Sequence, residues 1–249
     1  MEVHHHHHSS TEHKKWHHYF WEFFMLFLAV TLGFFVENQR ENFVEHQREK
    51  QYIRSLIKDI QNDTAELKKS LANTEASIQS IDSMLLLLTN QKLTDEIIIK
   101  SYYFTFPALN NIPVVFNDRT IVQLKNSGNM RIIRNQNVND ALINYWGHIE
   151  TIKNTLSRHN AYRTKARDLE TKIYNLAEKF LRDNRVINDS TGQIQLISHD
   201  LAIIREYANT IAYCGIMLKP RFGLRDQIIE QLHLATELIE LIKKEYHME

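Results

Sequence analysis

Apolar residues along this chain follow two patterns. From Tyr19 to Val36 they run almost unbroken, and Glu22 is the one charged side chain among them. At about 1.5 Å of rise per residue this window extends roughly 27 Å, close to the hydrocarbon thickness of a bilayer, and predicts a transmembrane helix. From Ile53 the spacing changes to alternate steps of four and three, through Ile57, Ile60, Thr64, Leu67, Leu71, Thr74, Ile78, Ile81, Leu85 and Leu88. That spacing predicts one long helix with a narrow apolar seam, either a coiled coil between chains or the spine of an elongated bundle. No glycine or proline between Phe34 and Phe106 interrupts it.

Val138, Leu142, Tyr145, Ile149, Ile152 and Leu156 open a second long seam, predicted to continue past a slip at His159 to about Asn184. Two shorter helices follow, divided at Lys219-Pro220, where proline removes a backbone donor and restricts the residue before it. Asp189-Ser190-Thr191-Gly192 reads as a turn. The connection 91–136 holds Pro107 and Pro113 in an apolar context, too long for an idle loop, and is expected to cap the distal tip. Within it, residues 118–127 read as a short helix closed by Gly128.

The expected fold is therefore all-α. A single transmembrane helix at 16–36 continues into an extramembrane domain at 37–249, an antiparallel long-helix bundle or coiled coil. The second long helix returns along the first, a C-terminal helical hairpin packs beside the pair, and the irregular distal cap lies at 91–136. The stretch 1–15 is a low-complexity tail whose His4 to His8 read as a purification-tag remnant or a natural tract.

Composition removes several functions. Lys plus Arg and Asp plus Glu are both 30, so no global field recruits nucleic acid. The single cysteine, Cys214, forms no intrachain disulfide and reads as an apolar filler. No phosphate loop or nucleophile elbow occurs, and His13 and His17, four apart, have no third convergent ligand for a metal, so no catalytic residue, metal or cofactor is assigned.

The candidate chemistry lies near the span. Stepping along the helix from Glu22 gives Leu26, Ala29, Gly33 and Val36, one seam that includes the two smallest residues, four apart. Such spacing lets helices approach closely in lipid, and a carboxylate on the same seam faces a partner helix or snorkels to the headgroups. Trp16, Tyr19 and Trp21 crowd the leading end as interface anchors, beside Lys14 and Lys15. The trailing end, Val36-Glu37-Asn38, is no small-residue cleavage site, which argues for an uncleaved anchor. Glu37, Glu41, Glu45 and Glu49 then line one stripe, a solvated face or, in an oligomer, the mouth of a polar path from Glu22 through Glu37 and Glu41.

The opening "HKKWHHYFWEFFMLFLAVTLGFFVE" resembles that of a family of bacterial single-span membrane proteins known only as a domain of unknown function. "LKNSGNMRII", Leu124 to Ile133, resembles a second element of that family. The resemblance implies a membrane anchor and a bacterial source, and no catalytic residue is carried over from it.

The functional expectation is a membrane-anchored homo-oligomeric helical scaffold, acting by interaction and not catalysis. It would sit in the bacterial inner (cytoplasmic) membrane with the main domain outside. Its partners would be the lipid bilayer, further copies of itself and a protein at the distal cap, with no nucleic acid. Ile57, Ile60 and Leu67 are expected to continue the oligomer seam. The alternatives are a small oligomeric ion channel or membrane effector with Glu22 facing the path, and a ligand-sensing helical domain.

Overall fold

The computed structural model describes residues 16–90, 92–183, 194–219 and 223–248. The class is all-α, as expected; among these residues the only β pairing is an isolated bridge between Tyr174 and Leu196. The expected tail at 1–15, the turn at Asp189–Gly192 and Pro220 lie outside the described residues. The chain divides into two units, Met1–Gln51 and Tyr52–Glu249, and helix α1 (Trp16–Leu88) contributes to both.

In the first unit every residue of α1 from 16 to 44 is exposed. The second unit adds α2 (Asp95–Tyr102), α3 (Thr105–Ala108), α4 (Arg119–Asn126), a 3-10 turn (Asn129–Ile132), α5 (Gln136–Ile173), α6 (Leu176–Asp183), α7 (Leu201–Leu218) and α8 (Leu224–Glu245). Side-chain caps start several of these. Thr94 accepts from the Ile97 amide, Asn135 from Val138 and Asp200 from Ala202, each satisfying a donor the helix cannot. Gly128 stands after α4 at φ 66, the left-handed conformation glycine adopts without steric cost.

Four legs run up, down, up and down. The first is α1 from residue 52. Ile53, Leu56 and Ile60 share one core cluster with Val138, Leu142, Tyr145 and Ile149 from the start of α5. Leu67, Ile81, Met84 and Leu88 share the other with Ala166, Leu169 and Ile173 from its end. The two long helices of this unit are therefore parallel, a correction to the expected return. Apolar periodicity defines a packing face but carries no direction.

The returning leg is the connection itself. Ser77 Oγ donates to the Ala108 carbonyl at 2.9 Å and Ser70 Oγ to that of Pro113 at 2.5 Å, while Asp63 accepts from the Asn117 amide at 2.6 Å. Rising numbers on the connection thus meet falling numbers on α1. Residues 91–136 are not a distal cap: they lie along the bundle, and Ile98, Leu109, Ile112, Ile121 and Leu124 fill its core. Their apolar content reflects a bundle leg that is not one helix, because Pro107 and Pro113 break it.

The C-terminal pair also differs from the expected hairpin. α7 packs on the later half of α5, where Tyr162 and Tyr213 stack at 5.0 Å and Lys165 pairs with Glu206 at 2.9 Å. α8 packs on the earlier half, where Gln231 meets His148 at 2.7 Å and Glu245 meets Asn135 at 2.5 Å. The two follow one another as a single broken leg antiparallel to α5. A short break permits either a fold-back or a continuation, and only the free length of α5 selects the second.

α5 ends at Ile173 and not near Asn184. Tyr174 is extended (φ −113, ψ 141), and its hydroxyl reaches the Ile98 carbonyl at 3.1 Å and Ser101 Oγ at 2.8 Å. Its extended backbone pairs with residues 195–197, where the Asn175 amide donates to the Gln195 carbonyl and the Ile197 amide to the Ile173 carbonyl, each at 2.8 Å.

Candidate functional site

The span presents its side chains outward on all sides. Trp16, Tyr19 and Trp21 at the leading end are 76%, 54% and 60% exposed, and no part of the apolar window is buried in its own chain. Lys14 and Lys15 lie outside the described residues. With a mean hydropathy of 1.9, this is the one described helix long and apolar enough to cross a membrane. Phe20 stacks on Phe24, and Phe23 on Phe27, at ring separations of 6.3 Å, so aromatic ridges cover two sides.

Glu22 has a local partner, since His18 Nε2 lies 3.1 Å from its Oε1, one turn toward the N-terminus. Leu26, Ala29, Gly33 and Val36 continue from it along one exposed strip. A Cβ added at Gly33 would meet nothing within 4 Å. Nothing in the chain's own fold therefore requires a glycine there.

The acidic stripe beyond the span is not uniform. Arg40 donates to both Glu37 oxygens, at 2.5 and 3.0 Å, and holds that carboxyl below the usual carboxylate range. Glu41 is exposed, whereas Glu49 is only 2% exposed with His46 Nδ1 at 3.3 Å. Of the residues proposed to line a polar path, Glu22 and Glu37 are thus already paired within the chain.

A polar ladder in the bundle went unrecognised in the sequence. The buried stripe of α1 is Ile53, Leu56, Ile60, Asp63, Leu67, Ser70, Thr74, Ser77, Ile81, Met84 and Leu88. It shares every seventh position with the sequence-derived seam but takes the other neighbour in between. Three of those intervening positions, Asp63, Ser70 and Ser77, are polar, and each bonds the backbone of the returning leg. Residues 110–118 make no helix, so their backbone groups need such partners. Asp59 adds a rung, accepting from both the amide and hydroxyl of Thr120 at the first turn of α4. A stripe of polar residues at heptad spacing, one turn from the apolar ones, is the signal that could have revealed it.

The ladder joins a wider network. Asp63 also accepts from the Asn117 side chain at 3.0 Å and from the Tyr145 hydroxyl at 3.0 Å. Gln231 Nε2 donates to the Tyr145 carbonyl at 3.3 Å. Burial pushes the Asp63 carboxyl up, against the lowering effect of its Asn117 and Tyr145 bonds. The carboxylate is fully enclosed, so the network joins helices and has no access for a substrate. Cys214 is likewise buried, with its thiol pushed up to about 11 by burial, and sits as the apolar filler expected. Among the described residues no group of three or more His, Cys, Asp or Glu is arranged to hold a metal ion.

Compared with protein-family models, curated proteins and solved structures, the chain matches none. What it does is argued from its own residues.

Proposed function

We propose that this chain is a single-span protein of the bacterial cytoplasmic membrane that works by interaction and assembles copies of itself through the span. The observation that carries the reading is the strip from Glu22 to Val36. It is wholly exposed, bears small residues at Ala29 and Gly33, and has no packing role inside its own chain. Small residues four apart permit close helix contact in lipid, where backbone approach and polar bonds replace the hydrophobic effect as the driving force.

The span is the interface in this reading, since the expected continuation of the seam is occupied. Ile60 and Leu67 are fully buried in the chain's own bundle, and Ile57 packs against the same core. With residues 98–124 laid along the bundle, this reading does not rest on a protein partner at a distal cap. The proposal places the bundle outside the cytoplasm on the basic pair Lys14 and Lys15 immediately before the span. Arg40, Arg48, Lys50 and Arg54 after it count the other way, but large domains translocate largely regardless of charge.

The test is the mass of the intact protein in mild detergent, corrected for bound detergent. The wild type is expected as a defined oligomer and Gly33→Leu as a smaller species. A monomeric wild type would end the reading.

A further inference from the structure

One end of the bundle carries an open groove of about 680 Å³, lined by residues 88–90 and 92–94 and by the first turns of α7. Its floor is apolar, with Leu88 and Ala208 buried and Leu93 and Leu201 beside them. Around that floor stand Lys92, Arg205 and Asn209, whose exposed side chains make no hydrogen bond or ion pair within the described residues. The other polar lining groups are engaged locally. Thr89 Oγ1 donates to the Leu85 carbonyl at 2.6 Å, and Asn90 and Thr94 accept from backbone amides at 3.2 and 3.4 Å.

Among the described residues no carboxylate lines the groove. The nearest acids in sequence are Asp95, Glu96, Asp200 and Glu206. Asp95 pairs with His199 at 2.9 Å, Asp200 accepts from the Ala202 amide at 2.8 Å and Glu206 pairs with Lys165 at 2.9 Å, while Glu96 is exposed in the first turn of α2. The groove between α1 and the α7–α8 leg is different. There Lys219 pairs with Asp82, and Arg225 with Glu75 at 3.4 Å, so both cations are neutralised.

We infer that the end groove binds a small organic monoanion, a carboxylate carrying a short apolar portion. Arg205 offers a planar fork that matches a carboxylate, Lys92 a second charge and Asn209 an amide donor. The apolar portion covers Leu88, Leu93, Leu201 and Ala208. The volume falls within the roughly 300–1,000 Å³ usual for small-molecule sites. A bare inorganic anion would leave the floor in water, and a neutral apolar molecule would form no charged hydrogen bond with Arg205 or Lys92. The inference stands independently of how the span assembles.

The test uses the full chain in nanodiscs of zwitterionic lipid, titrated calorimetrically with isocaproate, with its neutral amide and with inorganic phosphate. Isocaproate is expected to saturate and to bind at least about tenfold more tightly than either of the others. Arg205→Gln and Lys92→Gln are each expected to weaken it by about tenfold, a typical effect of losing one charged hydrogen bond. Arg225→Gln, in the neutralised groove, should leave it unchanged. Both cations of the site are exposed, so the variants are expected to melt as the wild type does. The inference is overturned if isocaproate does not saturate, if its amide or phosphate binds as well, or if Arg205→Gln binds like the wild type.

Discussion

At the scale of single residues, the interior of the bundle is set by a few polar groups. Asp63 accepts three hydrogen bonds from two legs of the bundle. Tyr145→Phe removes one of them and is expected to lower unfolding free energy by about 1–2 kcal/mol, read from denaturant melts. Asp63→Ala strands the Asn117 amide and the Tyr145 hydroxyl as well, so its loss should be distinctly larger. Equal losses would mean that the shared acceptor is not what links the legs. His159 offers a different readout. It is fully buried with neither ring nitrogen partnered, and burial, with Arg163 adding in the same direction, lowers its pKa from 6.5 to about 4. The folded value lies below the unfolded one, so the unfolded chain takes up the proton first. Stability is complete above pH 6.5 and declines as pH falls from there toward 4. A His159→Leu variant should show a shallower decline over that window in parallel pH-dependent melts.

At the scale of elements, two glycines separate internal packing from assembly. A Cβ at Gly215 would lie 3.1 Å from Ile81 Cγ2, tighter than most Cβ contacts, so a side chain there requires Ile81 to shift. Gly215→Leu is expected to destabilise the bundle by about 1–3 kcal/mol through overpacking, with oligomeric mass unchanged. Gly33→Leu should do the reverse, altering mass without lowering the melting midpoint of the bundle, because nothing in the chain contacts that site. If both variants acted on the same observable, span and bundle would not be separable in this way. The elements themselves were largely legible. Unbroken apolar length marked the stretch of α1 able to cross a bilayer, and 3.5-residue spacing marked the long helices. Their neighbours were less legible, since at Tyr174, where α5 stops, the backbone pairs with residues 195–197 and the hydroxyl bonds Ile98 and Ser101, more than seventy positions away.

At the scale of the whole molecule, the scaffold and channel readings assign Glu22 to an interface and to a path respectively. The His18 contact at 3.1 Å gives it a partner within the chain, consistent with an interfacial position. The scaffold reading expects Glu22→Gln to leave ion flux across proteoliposomes unchanged, whereas an altered flux would favour the channel alternative. Sidedness has its own measurement. A cysteine placed at Lys153, an exposed position on α5, should react with a membrane-impermeant maleimide in intact spheroplasts if the bundle faces outward. The buried Cys214 provides the unreactive background.

Local patterning by itself determined that this protein is helical, that one stretch can cross a bilayer, and that α1 buries a stripe repeating every seven residues. It could not decide which of two adjacent stripes is inside. The more apolar choice, through Ile57, Thr64, Leu71, Ile78 and Leu85, was the natural reading, yet the fully buried positions are Leu56, Asp63, Ser70, Ser77 and Met84. The difference comes from the returning leg, whose proline-broken backbone arrives without internal partners and must be met by polar side chains. That need arises only when segments distant in sequence are brought together. It belongs to the tertiary structure, as do the parallel course of α5 and the broken leg of α7 and α8.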